Sequence, residues 1–277
     1  MPAVSSQRPL RISRMRDVAI AFGLAWGLAG CATPPPASDA EALAEFQQTN
    51  DPLEPANRVF YKINDGLDTI ILKPVAQAYR YVVPEQVRTG VHNVLANASS
   101  PVRLTNDALQ GRPRRAGDTA MRFVINTTVG VLGVFDVAKD LGYPDHEADF
   151  ALTLANWGVP EGPFLFLPVL GPSSPRDLTG FGTDIALDPF TWIGRGTAAA
   201  TIGSWTRTGV SAVDERERYL DPVEQIKKTA LDPYATFRSL YRQNRAGKLE
   251  KMRADNRAAI PIWWPGANER RQDGAAR

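Results

Sequence analysis

Apolar residues recur at intervals of three and four along much of the chain, which is the spacing of amphipathic helices. The clearest run follows Asp51 and Pro52, a side-chain acceptor and a proline that together favour the first turn of a helix. Its apolar positions are Leu53, Ala56, Phe60, Ile63, Leu67 and Ile70. Other prolines precede similar but shorter series. We therefore predict further short helices that begin near Pro74, Pro84, Pro101, Asp188, Asp221 and Asp232.

The stretch from residue 149 to 184 breaks this pattern. Phe150, Leu154 and Trp157 fit one face of a short helix, and a glycine follows that can end it. Residues 162 to 175 carry no charge, and their four prolines argue against a helix or a central strand. We predict a stiff apolar loop, which either serves a function or only covers a core. Since no run alternates for long enough to predict a multi-stranded sheet, the predicted fold class is all-α.

A second uncharged stretch covers the thirteen residues from 123 to 135. As a helix it would extend about 20 Å, which is short of the roughly 30 Å hydrocarbon core of a bilayer. Gly130 and Gly133 favour a tight bend, so the stretch predicts a hairpin with an apolar tip that enters one leaflet. A buried core helix is the alternative. The candidate membrane residues are Val129, Val131, Leu132, Val134 and Phe135.

The N-terminal region has the pattern of an export signal. Four arginines precede an uncharged run from residue 18 to 30, which is too short for a permanent membrane span. The run ends in Leu28-Ala29-Gly30-Cys31, which resembles a bacterial lipobox, so Cys31 is the expected acylated N-terminus of the mature protein. An ordinary signal followed by an incidental cysteine is the alternative. Three consecutive prolines after Cys31 predict an extended tether.

Composition narrows the class of protein further. The 277 residues include 32 basic and 30 acidic side chains, a net charge of +2 that gives no support to nucleic-acid binding. One cysteine excludes an internal disulfide, and two histidines are few for a zinc site. The C-terminal region is basic and rich in Pro, Gly and Ala. The expected divisions are a signal peptide (1–30), a lipid-anchored tether (31–48), a helical domain (49–244) and a disordered basic tail (245–277).

The chain carries no clear catalytic or cofactor motif. There is no G-x-S-x-G elbow, and Ser173-Ser174 has no histidine near it in the sequence, so a hydrolase is disfavoured. A G-x-G-x-x-A match at residues 194–199 lacks a preceding strand. Acidic residues around His146 suit a turn and a helix start better than a metal site, and we expect no cofactor. One basic cluster fits either lipid phosphates or a solvated loop. It consists of Arg112, Arg114 and Arg115.

Several ordered motifs resemble the MlaA (VacJ) family of outer-membrane lipoproteins. They are the strings DPLEPANRVFYKIND, LQGRPRRAGDTAMRFVINTTVGVLGVFDVA and TLANWGVPEGPFLFLPVLGPSSPRD, together with the lipobox. The chain departs from the family pattern at Ala151, where Gly is common, and at Ser174, where Thr is common. These departures affect local packing only.

The resemblance implies a ring-shaped bundle of short amphipathic helices that lies in the inner leaflet of the outer membrane around a central channel. Phospholipids mislocalised to the outer leaflet would pass through this channel to a soluble periplasmic carrier. Porin trimers are the other expected partners. A phospholipase and a structural envelope lipoprotein are the alternative functions, of which the first lacks a nucleophile motif and the second has no need of a long apolar loop.

A phospholipid passage needs apolar and polar surfaces side by side. The apolar loop and the polar groups near it supply both. Asp136 is also a polar residue beside an apolar segment, but we expect it to cap a short helix. The candidate channel residues are Asn126, Trp157, Phe164, Phe166, Leu167, Leu170, Arg176 and Asp177.

Overall fold

A computed structural model describes residues 49–255 and seven single positions between 35 and 46. The predicted signal peptide, Cys31 and residues 256–277 lie outside the described residues. Helices dominate the described part, which confirms the all-α prediction. They are α1 (Glu54–Leu67), α2 (Lys73–Val82), α3 (Glu85–Ala98), α4 (Ser100–Leu109), α5 (Pro113–Thr128), α6 (Val137–Asp140), α7 (Phe150–Asn156), α8 (Pro175–Leu187), α9 (Ala198–Arg218), α10 (Leu220–Thr229) and α11 (Pro233–Ala254). A π-helical segment (Asp68–Leu72) joins α1 to α2, and a 3₁₀ turn (Pro189–Thr191) follows α8.

Most of the predicted helix starts are present. Pro74 and Pro101 lie in the first turns of α2 and α4, and Pro84 directly precedes α3. Asp232 caps α11 through the backbone N–H of Ala235 at 3.1 Å. Asp188 caps the 3₁₀ turn through the N–H of Phe190 at 3.0 Å.

Two predicted caps are wrong. Asp51 does not cap α1, whose N-cap is Leu53. The buried carboxylate of Asp51 instead accepts hydrogen bonds from Asn57, Tyr234 and Arg238. These tertiary partners compete with the local cap. Asp221 lies inside α10, because a single residue separates α9 from α10 and leaves no room for a new cap.

The apolar loop contains a short strand pair where we predict a loop; its prolines argue against a central strand, and neither of these strands is central. Strand β1 (Leu165–Leu167) pairs antiparallel with β2 (Gly171–Ser173), with Phe166 opposite Pro172. The sheet has two strands, so each keeps a free edge where a missing N–H costs nothing. The absence of a larger sheet among the described residues agrees with the prediction.

Side chains of asparagine at seven-residue spacing hold β1 against α1. Asn57 donates to the carbonyl oxygen of Phe164 at 3.0 Å and accepts from the N–H of Phe166 at 2.9 Å. Two helical turns later, Asn64 donates to the carbonyl oxygen of Leu167 at 2.7 Å. Asn50 extends the series by donating to the carbonyl oxygen of Gly162 at 2.7 Å. The asparagines therefore satisfy backbone groups that a third strand would otherwise pair.

The hydrophobic core of the described residues is small and aromatic. Phe164, Phe166 and Tyr234 are buried together, and Tyr61 packs edge-on against Phe166 with ring centroids 5.5 Å apart. The core therefore joins the apolar loop to α1 and α11.

Polarity is inverted over much of the rest of the molecule. Asn106, Asp107 and Thr153 are fully buried, whereas Ile70 is 77% and Tyr81 92% exposed. Proteins in water rarely bury ionisable side chains while exposing extended apolar surface. Among the described residues, no helix combines the length and the apolar composition needed to cross a bilayer.

Helix α11 continues past the expected start of the basic tail. It reaches Ala254, and Arg245 is mostly buried in ion pairs with Asp149 and Asp177. The tail prediction is therefore wrong for residues 245–254, where long-range ion pairs overrule the local polar composition.

Candidate functional site

The predicted bend after α5 is present. Val131 and Leu132 have φ of 54° and 57°, and Gly133 has φ of 93°. A methyl group added at Gly130 would lie 2.3 Å from the carbonyl oxygen of Phe135, so the turn closes too tightly for any side chain there. The structure exposes all five candidate membrane residues, in contrast to a buried core helix. They are Val129, Val131, Leu132, Val134 and Phe135, referred to below as the apolar tip.

A polar cluster at the base of the apolar tip fixes its position. Asp136 caps α6, as predicted, and accepts two hydrogen bonds from Arg122 at 3.0 and 2.9 Å. Asn126 donates to Asp136 at 2.9 Å and accepts from the N–H of Ala138 at 2.9 Å. Burial opposes ionisation of Asp136, but the hydrogen bonds from Arg122 and Asn126 outweigh it and lower its pKa. Asn126 therefore tethers the turn.

A cavity of about 300 Å³ lies between α7, β2, α8 and α11 and combines both kinds of surface. Helix α8 approaches α7 closely because Gly180 leaves space that a methyl group would fill, 2.5 Å from the backbone nitrogen of Ala151. The apolar wall consists of Ala151, Leu170, Pro172, Leu178 and Phe181. The charged wall consists of Asp149, Asp177, Asp184 and Arg245. We call this space the amphipathic cavity.

Arg245 organises the charged wall. Its Nη1 lies 2.8 Å from Asp149 Oδ2, and its Nε lies 2.8 Å from Asp177 Oδ2. Burial opposes ionisation of Asp149, but the hydrogen bond and the positive charge of Arg245 outweigh it. The pKa of Asp149 is therefore lower than its ordinary value. Burial raises the pKa of Asp184, despite hydrogen bonds from Asn106 and the backbone N–H of Phe150.

The predicted channel residues do not form one surface. Leu170 and Asp177 line the amphipathic cavity, whereas Phe164 and Phe166 belong to the aromatic core. Trp157 is exposed and donates its indole N–H to the carbonyl oxygen of Leu109 at 3.2 Å.

The remaining candidates have local roles. Leu167 is half-buried in β1. The Arg176 side chain is mostly buried and donates to the carbonyl oxygen of Val159 at 3.4 Å. Sequence reasoning missed Leu178, Phe181 and Arg245, although the spacing of the first two on α8 gave a signal.

The basic cluster at the start of α5 is largely engaged within the protein. Arg115 is buried beside Asp107, and Arg112 donates to the carbonyl oxygen of Asp255 at 3.0 Å. Arg114 alone of the three is exposed. A joint phosphate site for the three guanidinium groups therefore does not form.

Ser173 and Ser174, the serines considered as nucleophiles, do not pair with a histidine among the described residues. Ser174 Oγ accepts the N–H of Asp177 as the cap of α8, and Ser173 Oγ donates to the carbonyl oxygen of Ser174. His92 contacts Asp214 and His146 contacts Asp107, so neither imidazole meets these hydroxyls. In this part of the chain there is also no cluster of three or more metal-ligating side chains.

Inverted polarity, an apolar tip and an amphipathic cavity define a helical protein suited to a lipid surface. The model of the MlaA lipoprotein family matches residues 49–248, so the chain belongs to this family of membrane-associated lipoproteins. This agrees with the resemblance seen in the sequence motifs.

Relatives and a solved structure agree with this assignment. An intermembrane phospholipid transport system lipoprotein MlaA from Haemophilus influenzae is 34% identical over 239 residues, covering 83% of this chain and 89% of its own. The protein of the same name from Escherichia coli K12 is 32% identical over 256 residues, covering 89% and 96%. A structure solved to explain the maintenance of bacterial outer membrane lipid asymmetry has a TM-score of 0.61 and 32% identity, covering 72% of this chain and 98% of that one.

Proposed function

We propose that this chain is a lipid-anchored lipoprotein that transports phospholipids between membranes and so maintains the lipid asymmetry of the outer membrane. The amphipathic cavity is the observation that carries the proposal. Relatives covering most of the chain are named for intermembrane phospholipid transport, and the similar solved structure concerns outer membrane lipid asymmetry.

The cavity suits the two parts of a phospholipid. Leu178 and Phe181 offer apolar contact to acyl chains, while Arg245 and Asp177 face the same space with charge. Moving an unpaired charge into an apolar environment costs several kcal/mol, so a passage must keep a polar wall beside the head group. At about 300 Å³ the cavity is at the lower limit of ordinary ligand pockets. It therefore holds part of a lipid at a time.

The lipid anchor and the apolar tip together define the expected position of the protein in the cell envelope. Acylated Cys31 would hold the protein on the periplasmic side of the outer membrane, and the apolar tip would enter one leaflet. Phospholipids drawn from the outer leaflet would leave for a soluble periplasmic carrier, with porin trimers as neighbours in the membrane. No covalent chemistry is required, since transport down a gradient of lipid stability needs only a route.

A cellular assay tests this function. In a strain that lacks the chain, we expect phospholipids to accumulate in the outer leaflet, and the full-length lipoprotein should remove them. Mass spectrometry of the detergent-extracted protein should detect phospholipids that copurify with it. If the complemented strain keeps the same outer-leaflet phospholipid as the strain without the chain, the protein is not a transporter. Release of lysophospholipid or fatty acid by the purified protein would indicate a phospholipase instead.

A further inference from the structure

A second cavity, of about 290 Å³, lies on the other side of the β1–β2 hairpin. Pro172 lines both this space and the amphipathic cavity, so β2 separates them. Unlike the amphipathic cavity, it has an almost wholly apolar surface. Its apolar wall includes Tyr61, Leu67, Leu72, Phe166, Val223 and Phe237, and we call it the apolar cavity.

The π-helical segment helps to shape the apolar cavity. The N–H of Lys73 donates to the carbonyl oxygen of Asp68, one residue further back than in an α-helix. This wider turn places both Asp68 and Leu72 on the cavity wall. Single π-turns inside longer helices are frequently found at functional sites.

Arg216 lines the apolar cavity, and one nitrogen of its guanidinium group has no hydrogen-bond acceptor in the described part of the chain. Its Nε and Nη2 are held by the two carboxylate oxygens of Asp68, and its side chain is only 10% exposed. Nη1 is buried, and none of the residues that the structure describes accepts a hydrogen bond from it. A buried N–H without an acceptor costs about 1–3 kcal/mol, more when it is charged. A ligand oxygen at this position would remove that cost.

The charges around Arg216 decide which kind of oxygen fits. Asp65 and Asp68 face Arg216 and Lys227, so the cluster is formally neutral before any ligand binds. Burial opposes ionisation of Asp68, but hydrogen bonds from Arg216 and Lys227 outweigh it and lower its pKa. A phosphate or carboxylate would add an uncompensated negative charge in an apolar space. An uncharged acceptor avoids this.

We propose that the apolar cavity binds one acyl chain of a lipid, with Arg216 Nη1 donating to the ester carbonyl oxygen at the head of that chain. An ester carbonyl is a neutral acceptor attached directly to a long apolar group, which matches the unpaired Nη1 group and the apolar wall. The site is distinct from the amphipathic cavity, and it rests on the proposed function only in that the ligand is a membrane lipid.

Photolabelling in a membrane tests this site. The full-length lipoprotein is placed in vesicles of phosphatidylethanolamine and phosphatidylglycerol. Trace amounts are added of a phosphatidylethanolamine with a diazirine in one acyl chain, or of a diazirine alkane of the same length without an ester. We expect both probes to label the peptides that contain Val223 and Phe237. Labelling confined to the exposed apolar tip would overturn the proposal.

Three variants separate the contribution of the apolar cavity from that of the Arg216 hydrogen bond. Val223→Trp fills the cavity with a bulky side chain, so an acyl chain no longer fits, and it should lower labelling by both probes about tenfold. Val75→Trp, on the exposed outer face of α2, is the matched control and should not change it. Arg216→Lys keeps a charge for Asp68 but loses the guanidinium fork. It should lower labelling by the ester probe about tenfold and leave the alkane unchanged.

The outcomes are distinct from those of the transport assay. Equal labelling in the wild type and Val223→Trp contradicts an acyl site, and displacement of the ester probe by inorganic phosphate indicates an anion site instead. An equal loss of both probes in Arg216→Lys overturns the carbonyl contact. A protein that still removes outer-leaflet phospholipid but is not labelled at α10 and α11 refutes this site and leaves the proposed function standing.

Discussion

Arg245 shows how much a single side chain decides in this protein. Its sequence neighbourhood is polar and basic, which led to its placement in a disordered tail. In the structure it joins α11 to α7 and α8 by pairing with Asp149 and Asp177, and it forms part of the charged wall of the amphipathic cavity. The partners are 96 and 68 residues away in the chain. No local pattern reveals a pairing over such separations, so sequence reasoning could not find it.

The pairing predicts a pH dependence of stability. The folded-state pKa of Asp149 lies below its unfolded value, so its contribution is present above about pH 4 and is lost as pH falls through the folded pKa. Asp149→Asn keeps a cap for α7 but removes the charge. We expect a loss of about 2 kcal/mol at pH 7, or roughly 4–8 °C in Tm, and a smaller difference at pH 3.

Thermal unfolding followed by circular dichroism at both pH values measures this effect. Asp140→Asn, at the exposed end of α6, is the control and should leave Tm unchanged at either pH. An Asp149→Asn deficit of the same size at both pH values would show that the ion pair is not its cause.

At the scale of elements, the helices could be predicted and the strands could not. Helical periodicity and prolines located α1 to α4 because those signals are local. The β1–β2 hairpin was missed because Pro172 argues against a strand unless the sheet has a free edge, and the sequence does not reveal how many strands a sheet has. Asn57 and Asn64 carried a signal in their seven-residue spacing, since this places them on one face of α1.

The asparagine contacts predict that β1 depends on α1 for its position. Asn57→Ala leaves the N–H of Phe166 and the carbonyl oxygen of Phe164 without their partners in a buried site. The expected cost is about 3 kcal/mol in the free energy of unfolding. Hydrogen exchange at the Phe166 amide should also become faster. Asn93→Ala, which removes a solvent-exposed hydrogen bond to Val134, should change the free energy by less than about 1 kcal/mol. Equal effects of the two changes would contradict this role of Asn57.

We expect the apolar tip to insert into a bilayer, so a charge placed in it should weaken membrane binding. Val131→Asp places a charge where hydrocarbon is expected, at a cost of up to about 2.5–3.5 kcal/mol at full depth. We expect the variant, expressed without its lipid anchor, to float with phosphatidylcholine vesicles much less than the parent. Thr229→Asp adds the same charge to the exposed end of α10 and serves as the control. If both float equally, the tip does not insert.

At the scale of the whole molecule, the sequence predicted the class and family but not the arrangement of the site. Motifs in their order along the chain were sufficient for the family, because each is a contiguous string. The predicted channel residues separated into the aromatic core, the base of the apolar tip and the amphipathic cavity. Apolar loop residues look alike in sequence whether they face a core or a passage. Only the packing of α8 and α11 against β2 distinguishes Phe166 from Leu170.

The central claim is that phospholipids pass through the amphipathic cavity, and one comparison tests it directly. Phe181→Arg replaces an apolar ring with a charge in the cavity wall, while Thr179→Arg adds the same side chain to an exposed position on the same helix that does not line it. At matched protein levels and in the same strain, outer-leaflet phospholipid is measured for both variants. We expect it to accumulate with Phe181→Arg and to stay at the wild-type level with Thr179→Arg. Equal outer-leaflet phospholipid in the two strains would mean that the lipid route lies elsewhere in the protein.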